Sequence, residues 1–166
     1  MRSTITALGI VTLLGLCLVS AMADEEKVPL DKVPKVVLEA IKTRFSGADL
    51  VGATKELENG KTVYEISFKH KGSNYDVIVT PEGTITLIEK EIAAKDLPKV
   101  VAKAVEDKYP KATWKKTEEV IKVENKVEKL AYYEVLLVTT DKKMLEIEID
   151  PSGKIIKQEK KDEKDK

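Results

Sequence analysis

Few residues of this chain could do chemistry. One histidine, His70, stands between Lys69 and Lys71 at the end of an alternating segment. Catalysis through an imidazole needs a nucleophile or an orienting carboxylate, and metals usually take several imidazole or thiolate ligands. No such partner lies near His70 in sequence, so the plainer reading is an exposed turn residue with a weak pH response. Carboxylates are everywhere, so a pair of them means little. Glu146, Glu148 and Asp150 alternate along one stretch and share a face that could meet a cation or a basic protein surface. The plainer reading is the solvated side of an amphipathic strand, with cross-strand lysines answering its charges.

Gly60, Gly72, Gly83 and Gly153 are single turn glycines. None opens a helix after a strand as a phosphate-cradling loop must. No G-x-S-x-G, H-E-x-x-H or EF-hand loop occurs. The chain is therefore read as not an enzyme, with no catalytic residue, no metal ligand and no cofactor. Among the aromatics, Trp114 follows a turn and Tyr132 falls out of phase with Tyr133. These two are the candidate partner-binding residues, because an exposed aromatic buries much area at low entropic cost.

The elements that would position such residues come from a repeat. Residues 33–50 read "VPKVVLEAIKTRFSGADL" and residues 97–114 read "LPKVVAKAVEDKYPKATW". In the first copy Val33, Val36, Val37, Ala40, Ile41 and Phe45 recur at helical spacing. In the second Leu97, Val100, Val101, Ala104, Val105 and Tyr109 do the same. Asp31 and Asp96 are the expected N-caps, and Gly47 supplies the positive φ of a C-cap. Each helix leads into alternating segments. Asn59-Gly60 marks a tight hairpin. Tyr64, Ile66 and Phe68 point one way, and Tyr75, Val77 and Val79 continue the face. Pro81-Glu82-Gly83 and Pro151-Ser152-Gly153 are matching turns. The second copy has gained six residues, expected mainly as a longer, charged connection in the hairpin at 120–130, with one more near Asp141. The fold class is thus α+β, a tandem repeat of one helix followed by about four antiparallel strands. The repeats span 28–93 and 95–160, and a charged tail covers 161–166.

The N-terminus has its own logic. Arg2 precedes an apolar run from Ile5 to Val19, and Ala21-Met22-Ala23 is an A-x-A cleavage pattern. That is a signal peptide over 1–23. Leu16 before Cys17 does not suit a lipobox. Cys17 is the sole cysteine, so the mature chain must hold itself together without disulfides. Removing Arg2 leaves 28 basic residues against 29 acidic ones, which argues against a nucleic-acid field. No second apolar run suggests membrane insertion after cleavage, and the expected location is periplasmic or secreted.

The repeated pattern resembles the PepSY-like family, also described as β-lactamase-inhibitor-like. The first copy carries Pro34, Phe45, Ala48, Tyr64 and Pro81-Glu82-Gly83. The second carries Pro98, Tyr109-Pro110-Lys111-Ala112, Trp114, Tyr133 and Pro151-Ser152-Gly153. The first departs with Ser46 for the proline and Leu50 for the tryptophan. The resemblance implies two tandem copies of a β-lactamase-inhibitor-protein-like architecture, and no inhibitory residue transfers with it. The expected function is an exported protein- or peptide-binding module, an inhibitor or modulator of an envelope or secreted enzyme. Its working surface would be a sheet face or the 120–130 hairpin. The alternative is a small-ligand or cation-binding periplasmic protein using acidic strand faces.

Overall fold

The structure is a computed structural model that describes residues 25–161. The signal peptide expected at 1–23 and the tail beyond Lys161 lie outside the described residues.

A proline sets the start of each helix. Pro34 has ψ 135° and Pro98 has ψ 137°, so α1 (Lys35–Arg44) and α2 (Lys99–Lys108) begin just after them. A proline also drives the residue before it out of the helical region. Asp31 and Asp96 are therefore stranded in short 3-10 turns, Leu30–Lys32 and Ala94–Asp96, and neither makes a capping hydrogen bond to a helix. The expected aspartate caps are corrected to proline starts. The helix ends also match: Phe45 and Tyr109 close α1 and α2 with φ of −121° and −126°. Gly47 then takes φ 81°, and Lys111 takes the same left-handed region at φ 65° in the equivalent place.

After α1 come β2 (Asp49–Glu58), β3 (Lys61–His70), β4 (Ser73–Val79) and β5 (Ile85–Glu91). After α2 come β6 (Thr113–Glu124), β7 (Val127–Val138), β8 (Met144–Ile149) and β9 (Ile155–Lys161). A two-residue strand, β1 (Glu26–Lys27), flanks β2. All pair antiparallel in chain order as one nine-stranded sheet. The two repeats are joined edge to edge through β5 and β6, with Ile88 opposite Ile121.

Both helices lie on the same side of this sheet. Val33, Val37, Ile41 and Phe45 pack on Ala53, Ile66, Phe68, Val77, Val79 and Ile88. Leu97, Val101 and Val105 pack on Tyr133, Val135, Leu137, Ile147 and Ile149. Each fully buried valine, leucine or isoleucine of this kind contributes about 1.5–3 kcal/mol. Val36 and Val100, expected in the buried stripes, are 42% and 49% exposed. They lie instead against Gly83 and Gly153, whose φ values are 85° and 89°. A Cβ on Gly83 would sit 2.8 Å from Val36 Cγ2, and one on Gly153 2.7 Å from Val100 Cγ2. The turns and helices approach too closely for any side chain.

The β7–β8 connection at 139–143 is longer than the β3–β4 turn at 71–72, as expected near Asp141, but the extra residues of the hairpin are not a longer loop. The β6–β7 connection is a two-residue turn, Asn125 and Lys126 at φ 51° and 65°, like Asn59 and Gly60 at 50° and 74°. The strands themselves are longer, 12 residues each against 10 in β2 and β3. A bulge leaves Ala131 unpaired between Leu130 and Tyr132, absorbing an odd residue without flipping a face. The added length lets Ile121 and Val123 pack on the first repeat's core. The Arg44 guanidinium also grips both Glu128 carboxylate oxygens, at 2.8 and 3.0 Å. The hairpin is thus a clamp between repeats.

Candidate functional site

The other side of the sheet carries no helix. Strand alternation puts a carboxylate there on every strand from β2 to β9: Glu56, Glu65, Asp76, Glu89, Glu118, Glu134, Glu146 with Glu148, and Glu159. Two rows face each other directly. Asp76 opposes Glu89, and Glu118 opposes Glu134, which in turn opposes Glu148. Like charges directly opposite one another destabilise a sheet.

This face is not the open, wet side of a flat sheet. Val63, Ile78 and Val120 on it are 5%, 9% and 0% exposed, and Glu118 only 3%. No helix covers them, so the sheet must curl and let neighbouring side chains shield one another. The charges agree: burial, and then Glu25 and Glu58, raise the Glu56 carboxyl on β2, and Lys161 at the end of β9 is near enough to offset part of that rise. The solvated reading of Glu146 and Glu148 is corrected accordingly. Their side chains are 18% and 15% exposed, and Lys161 and Lys157 answer them at 3.0 and 3.2 Å. The cross-strand lysines expected from the sequence are there. Asp150, at the strand end, instead accepts hydrogen bonds from Ser152 and Lys154 in its own turn.

Lys116 occupies the middle. Its ammonium lies 3.1 Å from Asp76 Oδ2 and 2.9 Å from Glu118 Oε1, joining the two repeats. Burial raises the Glu118 carboxyl, and the Lys116 ammonium answers its buried oxygen against that rise, by charge and by hydrogen bond. Burial opposes the Lys116 charge, but Glu118 and Asp76 together hold its pKa above the usual lysine range. Ser67 donates to Asp76 Oδ1 at 2.7 Å. Glu65, Glu89 and Glu134 form no ion pair among the described residues. Burial first, and then the neighbouring carboxylates, push Glu65 up to about 7, Glu89 to about 9 and Glu134 to about 8. Asp76, Glu89 and Glu118 offer oxygens within 4.8 Å of one another, a cation-sized grouping with an ammonium already in contact.

Tyr132 lies on this face, opposite Val120, half-buried among Glu89, Glu134, Glu146 and Glu148. Burial and these four carboxylates raise its phenol. Trp114 pairs with Leu137 and packs on the second core, on the helix side. The structure therefore does not bring Trp114 and Tyr132 together. His70 is half-buried, edge-on to Phe45 and Tyr75, and is packed where an exposed turn residue was expected. The carboxylate row was missed from sequence. Its signal was the repeat, because Glu65 and Glu134, Asp76 and Glu146, and Glu89 and Glu159 occupy matching strand positions.

Two family models match the chain. One, described as "Peptidase propeptide and YPEB domain", matches residues 34–82. The other, described as "Putative beta-lactamase-inhibitor-like, PepSY-like", matches residues 74–157. No curated protein matches. Among solved structures, a "putative periplasmic" protein from Bacteroides eggerthii is 16% identical with a TM-score of 0.63, over 77% of this chain and 88% of that one. A BLIP-like protein from Bacteroides fragilis is 13% identical with a TM-score of 0.56, over 78% and 89%. A DUF2874 family protein from Bacteroides uniformis is 16% identical with a TM-score of 0.61, over 76% and 88%. These likenesses establish the shared fold.

Proposed function

The chain belongs to the PepSY-like, β-lactamase-inhibitor-like family, and on that premise we propose that it is a non-enzymatic periplasmic module that binds a protein or peptide on the helix-free face of its sheet. The observation that carries this reading is the one-sided placement of α1 and α2. One side of the sheet is spent on the core. The other is uncovered, curled, and lined by carboxylates with Tyr132 and Leu136 among them. A curled strand face presents many side chains at fixed spacing, which suits recognition better than turnover. The A-x-A pattern at Ala21 to Ala23 and the periplasmic description of a structural relative support the location. Modulation of an envelope or secreted enzyme is the role we infer for such a module.

The test is capture of a partner from periplasmic extract by the mature protein and by two variants. Tyr132→Ala with Leu136→Asp alters the helix-free face, and Val100→Asp alters the helix side. Loss of the partner with the first variant alone supports the reading; loss with Val100→Asp alone contradicts it. The grouping of Asp76, Glu89 and Glu118 favours a second reading, a divalent-cation site. Lys116 stands against it by supplying positive charge from within. A calcium titration with no heat and no change in melting temperature would remove it.

A further inference from the structure

Each repeat has its own core under its own helix, α1 over the first and α2 over the second. Only the β5–β6 ladder makes them one sheet, and it runs from Leu87 opposite Lys122 to Glu91 opposite Glu118. The ladders of β2–β3 and β6–β7 are longer. The β4–β5 ladder is as short, but Val77, Val79 and Ile88 seat it in the core beneath α1. The seam has lighter support. Ile121 and Val123 reach the first core, and Ile92 the second, only as partly buried neighbours. Thr117 exchanges hydrogen bonds with the Ile92 backbone at 2.6 and 2.9 Å. Three ion pairs cross it: Arg44 with Glu128, Lys90 with Glu119, and Lys116 with Asp76.

The seam also sets like charges against each other. Glu91 stands directly opposite Glu118, although Asn74 holds its carboxylate at 2.6 Å. Asp76 and Glu89 of the first repeat offer oxygens within 4.8 Å of Glu118 in the second. One ammonium, Lys116, is already shared between Asp76 and Glu118. Glu89 therefore has no cation left to it. It is faced by Asp76 on β4, Glu65 on β3, Glu118 and Lys116 on β6, and Glu134 and Tyr132 on β7. Burial first, and then Glu118, keep it protonated at neutral pH. Opening the seam would hydrate Glu89 and part it from Glu118, removing both causes together. A closed seam is thus linked to a bound proton.

We propose that the β5–β6 seam is a proton-held joint. With Glu89 uncharged and Lys116 bridging Asp76 to Glu118, the repeats are locked at one curl. Loss of the Glu89 proton loosens the seam, and the repeats then move as two bodies, each keeping its own core. The joint is a property of the fold and needs no occupant of the helix-free face.

Hydrogen exchange of the mature protein, read amide by amide and corrected for its intrinsic pH dependence, tests this. From about pH 6 to about pH 9, protection of the β5–β6 amides should fall about tenfold or more beyond any fall in β2–β3 and β8–β9. Glu89→Gln should remove that excess, and Glu39→Gln, on the exposed side of α1, should leave it. Cys17 is the sole cysteine and lies in the expected signal peptide. Spin labels on Glu39→Cys in α1 and Glu106→Cys in α2 therefore report the spacing of the two helices. Their distance distribution should be narrow at pH 6, broad at pH 9, and narrow at both with Glu89→Gln. Seam protection that falls only in step with β2–β3 and β8–β9 overturns the proposal. So does an excess fall that survives Glu89→Gln, or a helix spacing that pH does not change.

Discussion

Glu118 on β6 and Glu134 on β7 stand directly opposite each other, the first touching Lys116 and the second making no ion pair among the described residues. The sheet keeps such a pair because Glu134, with its carboxyl pushed up to about 8 mainly by burial, holds a proton near neutrality. Stability should therefore depend on pH in an unusual direction. Glu65, Glu89 and Glu134 have folded pKa values of about 7, 9 and 8, above the ordinary 4.5. Between those limits the folded chain binds more protons than the unfolded one, so stability falls as pH rises. Urea unfolding should show the loss from about pH 5 to about pH 9. Glu89→Gln should stabilise by about 1 kcal/mol or more at the alkaline end and by little at the acidic end.

Removing the resident cation should do the opposite. Lys116→Met leaves Asp76 and the buried Glu118 uncompensated, at a cost of about 3 kcal/mol near neutral pH. Lys116→Met with Glu118→Gln should recover most of it. Unfolding curves that show no recovery would mean Lys116 matters through packing instead.

The glycine turns make a sharper structural prediction. Gly83→Ala and Gly153→Ala must both hold a positive φ and push on Val36 or Val100. Each should cost about 2–4 kcal/mol. Gly60→Ala meets nothing within 4 Å and should cost about 1 kcal/mol, from its φ of 74° alone. Chemical denaturation of the three variants checks the order.

These turns also show what the sequence made legible. The Pro-x-Gly repeats, the Asn59-Gly60 hairpin and the buried positions Val37, Ile41, Val101 and Val105 follow from local period and turn chemistry. Asp31 and Asp96 looked like caps because cap preference is also local, but the prolines after them decide the helix start. The 120–130 hairpin looked like a long loop because strand extension and loop extension add the same residues. Ala131 shows the difference only as a bulge between paired strands. The carboxylate row needs the β5–β6 seam, where Glu89 comes to face Val120 and Glu91 to face Glu118. It also needs the curl of the sheet, which no period encodes.

The clamp between repeats is a surface feature and should behave as one. Arg44 and Glu128 are 49% and 38% exposed, so their bidentate pair contributes about 0.5–1 kcal/mol. A double-mutant cycle of Arg44→Ala and Glu128→Ala should give coupling of that size, shrinking at high salt. Neither variant should disturb partner capture, because both residues lie away from the helix-free face.

The most direct measurement is an NMR titration of side-chain carboxyl carbons in the mature protein. Glu65, Glu89 and Glu134 should titrate at about 7, 9 and 8. Ordinary values near 4.5 would contradict a helix-free face that the curl of the sheet shields from solvent.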